Sequence, residues 1–120
     1  MHGLSGDGTL MRIHLGERDK YEGTPLHEAI VTLLRRRGLA GATVTRAIMG
    51  FGATARLHTD KVLRLSMDLP IVIECVDTEA KIQAVLPEID ALMGGGLITL
   101  EKVRIIAYRP EQASSHPTGT

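Results

Sequence analysis

Two stretches of helical period stand among four of strand character, in the order strand, helix, strand, strand, helix, strand. That order leaves few folds open. The first strand is predicted over Thr9–Leu15, where Met11, Ile13 and Leu15 share one face and Arg12 and His14 the other. A charged loop leads to a helix with clear punctuation. Thr24 is a good N-cap, Pro25 suits the first helical position, Leu26, Ile30, Leu33 and Leu34 fall on one stripe, and Gly38 supplies the stop. Arg35, Arg36 and Arg37 in the last turn suit the helix dipole. β-branched Thr43, Val44, Thr45 and Ile48 predict a second strand over Ala42–Met49. A third is predicted over Leu69–Val76, with Ile71, Ile73 and Cys75 on one face. Asp77 or Thr78 caps a second helix carrying Ile82, Val85, Leu86, Ile89, Leu92 and Met93. Pro87 is expected to kink or split that helix, and Gly94-Gly95-Gly96 to end it. A last strand is predicted over Ile98–Tyr108, with a break near Glu101.

Two split βαβ units in this order give an α+β class fold, the ferredoxin-like βαββαβ sandwich. It is a four-stranded antiparallel sheet with both helices on one face. The other face is left without cover, and Leu10, Val44, Ile48, Val72 and Val76 are expected on it. An uncovered apolar sheet face predicts oligomerisation. The domain is expected over residues 9–108, flanked by segments 1–8 and 109–120 that read as disordered.

Composition narrows the function. Lys and Arg number 14, Asp and Glu 14, so the formal charge is zero, and aromatics make up 2%. A nucleic-acid binder rests on excess cationic charge and stacking platforms, and neither is present. With 43% apolar residues the chain can fill a core, but no apolar run approaches the roughly 20 residues of a membrane helix. The N-terminal residues lack the apolar core of a signal peptide, and the single cysteine, Cys75, allows no internal disulfide. A cytoplasmic location is therefore expected.

Three features carry chemistry. The turn Gly50-Phe51-Gly52 opens a polar segment holding Arg56, His58, Asp60, Lys61 and Arg64. A strand ending in a glycine-rich, basic loop is one way to build an anion or nucleotide site; the plain alternative is a long hairpin loop. Gly94-Gly95-Gly96 can cradle phosphate with backbone N–H groups, or serve as a helix stop and turn. Arg46, Arg56, Arg64 and Arg104 are candidate phosphate ligands, since a guanidinium bonds phosphate oxygens in pairs; the alternative for each is a solvated surface charge. His14, His58, Asp60 and Cys75 lack the close spacing of metal ligands, and Cys75 in an apolar strand reads as a small buried residue. No Gly-x-Ser-x-Gly and no Walker loop occurs, so no metal site and no catalytic residue is assigned.

The segments Tyr21–Leu26, Gly38–Val44, Gly50–Gly52, Arg56–Thr59 and Leu65–Pro70 together resemble an uncharacterised bacterial family related to the PII signal-transduction proteins, over roughly Leu10–Tyr108. The resemblance implies a homotrimer that binds an adenine-type nucleotide in clefts between subunits. It also implies signalling to a partner protein through the loop between the second and third strands, here residues 51–67. By position, Gly94, Gly95 and Gly96 match the phosphate-wrapping loop of PII. The lysine that follows that loop in PII is absent, and Lys102 and Arg104 are the nearest cations in sequence. Arg46, Gly50, Phe51, Gly52, Arg56, Gly94, Gly95, Gly96, Lys102 and Arg104 are thus the expected nucleotide-binding residues. The second reading is a metal-binding ferredoxin-like trimer of the cation-tolerance type, carried by His58, Asp60 or Cys75. A third is a small enzyme of the same fold, such as a phosphatase, for which the sequence offers no residue.

Overall fold

The computed structural model describes residues 6–52 and 68–110. Residues 1–5 and 111–120, expected to be disordered, lie outside the described residues, as do 53–67 of the expected signalling loop.

Strand β1 (Gly6–Gly16) is the axis of the molecule. It pairs antiparallel on one side with β5 (Pro70–Asp77) and on the other with β6 (Leu97–Ile105), and β4 (Thr43–Arg46) completes the order β4-β5-β1-β6. Helix α1 (Leu26–Arg36) connects β1 to β4, with β5 lying between those strands; α2 (Glu79–Leu92) connects β5 to β6, with β1 between. This is the expected ferredoxin-like sandwich.

Register decides the two faces. Met11 faces Cys75, Ile13 faces Ile73 and Leu15 faces Ile71, so these pairs share one face, and all six are buried. Leu26, Ile30, Leu33 and Leu34 of α1 and Ile82, Val85 and Ile89 of α2 close over it, forming a core with no aromatic ring. On the open face Arg12 sits between Glu74 and Glu101, at 2.9 and 3.1 Å. These hydrogen bonds, to Glu74 first, raise the Arg12 pKa further.

The element ends depart from expectation where tertiary contacts win. Thr24 does not cap α1. Thr24–Pro25 (β3) pairs with Lys20–Tyr21 (β2) in a small ribbon, and its turn residues Glu22 and Gly23 both have positive φ, at 49° and 84°. Pro25 takes the cap position, and the Leu26 N–H donates to the Asp19 carbonyl at 2.8 Å. The other end of α1 follows expectation: Gly38 N–H donates to Arg35 O and Leu39 N–H to Leu34 O, a Schellman closure, and Lys81 Nζ donates to Gly38 O.

Thr78 caps α2, its Oγ1 accepting from Lys81 N–H at 3.3 Å. Pro87 does not split α2. Ile82 and Val85 before it and Ile89 after it pack into the same core, and that burial offsets the bond the proline removes. Strand β6 is unbroken at Glu101, whose carboxylate is held by Arg12. It stops at Ile105, short of the expected Tyr108.

Leu10, Val72 and Val76 lie on the open face as expected. Val44 pairs with Ile73 and so belongs to the helix face, at a sheet edge where it stays 37% exposed. Ile48 lies beyond the end of β4 and is exposed. Two residues fasten the α1–β4 connection at Ala40. The fully buried Asp77 accepts from Ala40 N–H through Oδ2 at 2.8 Å and from Thr78 N–H through Oδ1 at 2.7 Å, while Tyr108 Oη donates to Ala40 O at 3.0 Å.

Candidate functional site

One end of the sheet collects the glycine turns. There β1 finishes, β4 leaves, and β5 and β6 enter. Arg46 closes β4, opposite Ile71, and its Nη1 donates to Glu17 Oε2 at 2.7 Å. Glu17 belongs to the turn that follows β1. Its own N–H donates to Leu69 O at 2.8 Å, and the next N–H, of Arg18, donates to Asp68 Oδ1 at 2.9 Å. Within this turn Asp19 accepts from Gly16 N–H at 2.9 Å. Ala47 N–H, just past Arg46, donates to Pro70 O at 2.8 Å. The Glu17–Asp19 turn therefore touches both feet of the 47–69 connection.

Gly50 turns the chain at φ 154°, with Pro70 Cγ only 3.0 Å from where a Cβ would stand. Glycine is a backbone requirement here. Phe51 beyond it is 77% exposed and plugs no core, while Gly52 borders open space. Arg56 lies outside the described residues, as do His58, Asp60 and Arg64.

The three glycines after α2 divide into two kinds. Gly96 has φ 121°, and a Cβ on it would lie 2.6 Å from the His14 carbonyl oxygen, so it is a close-approach residue of the fold. Gly94 and Gly95 border open space. Any cradle for an anion is theirs.

Among the described residues, the expected ones do not all converge within one protomer. The glycine turn precedes β6 at one edge of the sheet, and Arg46 ends β4 at the opposite edge. That is three strand spacings, or about 14 Å. Lys102 and Arg104 pair with Thr9 and Asp7 near the start of β1. Arg104 stands seven residues along β6 from Leu97, roughly 23 Å at a rise of about 3.3 Å per residue.

A groove that sequence reasoning missed lies at this far end. Ala40–Thr43 and Tyr108 line it together with Leu10, Glu74 and Val76 of the open face. Its signal in the sequence is faint: the small residues Ala40-Gly41-Ala42 and one of the two tyrosines.

The structure separates two of the residues weighed for a metal. His14 lies on the open face, opposite Val72, whereas Cys75 lies in the core opposite Met11. Burial first, and then the nearby Asp77 charge, push the Cys75 thiol up to about 11, against a weaker pull from a Gly41 backbone hydrogen bond. Among the described residues no group of three His, Cys, Asp or Glu side chains is placed to hold a metal ion. No helix among them is long and apolar enough to cross a membrane.

The family model of DUF190, described as "Uncharacterized ACR", matches residues 8–105. A UPF0166 protein of Aquifex aeolicus is 42% identical over 97 residues, covering 81% of this chain and 91% of the relative. A UPF0166 protein of Methanocaldococcus jannaschii is 40% identical over 92 residues, covering 76% and 84%. Among solved structures, a PII-like protein of Thermus thermophilus superposes with a TM-score of 0.59 at 16% identity, covering 88% of this chain and 94% of the other. CPII, a nitrogen regulatory PII-like protein of Thiomonas intermedia bound to ADP, AMP and bicarbonate, superposes with a TM-score of 0.53 at 14% identity, covering 88% and 99%.

Proposed function

Because this chain belongs to the DUF190 family and has the fold of PII-like proteins, we propose that it is a PII-like regulatory protein that binds an adenine-type nucleotide in clefts between the subunits of a homotrimer. The observation that carries this reading is the distribution of anion-ready groups. The open Gly94-Gly95 turn, the exposed Arg46, and Lys102 with Arg104 stand on three separate parts of one protomer. A mononucleotide reaches only one of these parts in a single copy. A neighbouring copy supplies the complement. Binding of ADP and AMP by CPII supports the ligand class.

The nucleotide acts by population shift: it binds one arrangement of the loop base better than another, and the 51–67 loop passes that difference to a partner protein in the cytoplasm. Phe51, the first residue of that loop, carries an exposed ring. Light scattering on the purified protein together with calorimetric titration of ATP, ADP and AMP tests the reading. A trimer with saturable adenine-nucleotide binding is expected. A monomer that binds with full affinity refutes the shared cleft, and a trimer that binds no adenine nucleotide refutes the ligand class.

A further inference from the structure

We propose that Glu17 is an internal competitor for the ligand anion at Arg46, and so sets the affinity of the site. This rests on the reading that Arg46 meets a nucleotide phosphate. The Arg46 side chain is 60% exposed and that of Glu17 31%, so the guanidinium is open to solvent on the side the carboxylate leaves free. Glu17 already holds Nη1. A phosphate that takes two guanidinium donors must displace that carboxylate or lie against it, like charge to like. The main chain that carries the carboxylate is held in place. It is tied at Glu17 to Leu69, and at the next residue to Asp68, on the β5 foot of the connection.

The same geometry makes Glu17 a bridge. Its main chain is fixed to the β5 foot and its side chain to the β4 foot, so an anion that captures Arg46 removes one tie between the feet and leaves the Ala47 N–H to Pro70 O bond in place. An exposed pair of this kind is weak, which suits a contact that must open reversibly. Its release accounts for about a two- to fivefold change in affinity.

The test is calorimetric titration of ADP and of pyrophosphate into wild type, Glu17→Gln, Glu22→Gln and Arg46→Gln. Glu22 lies in the adjacent ribbon turn and makes the same change of charge without touching Arg46. Glu17→Gln is expected to tighten both ligands about two- to fivefold, Glu22→Gln to change them less, and Arg46→Gln to weaken both. Combined with Arg46→Gln, the Glu17 substitution should give no gain. Should Glu17→Gln fail to fold, Glu17→Asp shortens the arm while keeping the charge and should give the same direction of change.

Equal or weaker ADP binding by Glu17→Gln, with wild type binding normally, overturns the competitor and leaves the nucleotide reading standing. An equal gain from Glu22→Gln overturns it in favour of a diffuse field effect. Absence of saturable binding to both wild type and Glu17→Gln overturns it together with the reading on which it rests.

Discussion

Replacing Asp77 by alanine removes both acceptors from a site with no access to water. Its carboxylate takes the Ala40 N–H at 2.8 Å and the Thr78 N–H at 2.7 Å, and the residue is 0% exposed. Hydrogen bonds to a charged group contribute about 1.5–3 kcal/mol each, and a buried donor left without a partner carries its full desolvation cost. The two losses are coupled through one side chain, so the expected destabilisation is about 3–5 kcal/mol. That is a large share of the roughly 5–15 kcal/mol that holds a typical domain. Asp77→Asn keeps one acceptor but turns an NH₂ donor toward the other N–H, and should cost roughly half as much. Urea unfolding followed by circular dichroism, at one fixed protein concentration, measures both variants. The Ala40 amide should also lose its protection against hydrogen exchange before the β1 amides do. An alanine variant within about 1 kcal/mol of wild type would refute the assignment of Asp77 as the clasp of the α1–β4 connection.

Other contacts lead to outcomes of their own. Tyr108→Phe removes the bond to Ala40 O and should cost about 0.5–1.5 kcal/mol in the same urea assay. Gly96→Val should destabilise the fold by at least about 1–3 kcal/mol, because its Cβ would meet the His14 carbonyl. Gly95→Val, facing open space, should stay within about 0.5 kcal/mol of wild type but weaken ADP about tenfold; unchanged ADP affinity would reject the cradle. Cys75 should resist a thiol reagent at pH 8 until the protein is unfolded. Its folded pKa of about 11 exceeds the ordinary 9.0, so stability from the neutral thiol is full below 9.0 and declines as pH rises toward 11. The hydrogen bonds from Arg37 hold Glu88 below the ordinary carboxylate value, so that contribution is present above the ordinary carboxylate range and is lost as pH falls through the folded value. An NMR titration of Arg37→Ala should find the Glu88 pKa raised.

The order of elements and the core were legible because periodicity reports burial directly. Met11, Ile13, Leu15, Ile71, Ile73 and Cys75 alternate in sequence as they do in space. What escaped was decided by partners far along the chain or by local pairing that outcompeted a cap. Thr24 has the chemistry of a cap, yet pairing with Tyr21 claims it for a ribbon. Val44 alternates like a strand residue of either face, and only its register against Ile73 assigns the side. Pro87 carries a local signal for a break, overridden by core residues on both sides of it. At the candidate site the residue types were legible, Arg46 and the glycines among them. The pairing of Arg46 with Glu17 was not, and neither was the groove, whose walls come from separated segments. Nor does sequence distinguish Gly96, bound to its turn by His14, from Gly94 and Gly95.

The central position of β1 has a consequence for how the chain is made. β1 leaves the ribosome well before its partners β5 and β6: Met11 must wait for Cys75 on one side and Leu100 on the other. Until then both its edges and its apolar face are bare, an arrangement that slows folding and exposes a strand to aggregation. A nascent chain arrested after β4 would hold α1 and the small β2–β3 ribbon but no paired strand of the central sheet. A stop codon just before β6 would remove one whole flank of the central strand, so premature termination should yield chaperone-bound or degraded product in place of a smaller stable domain.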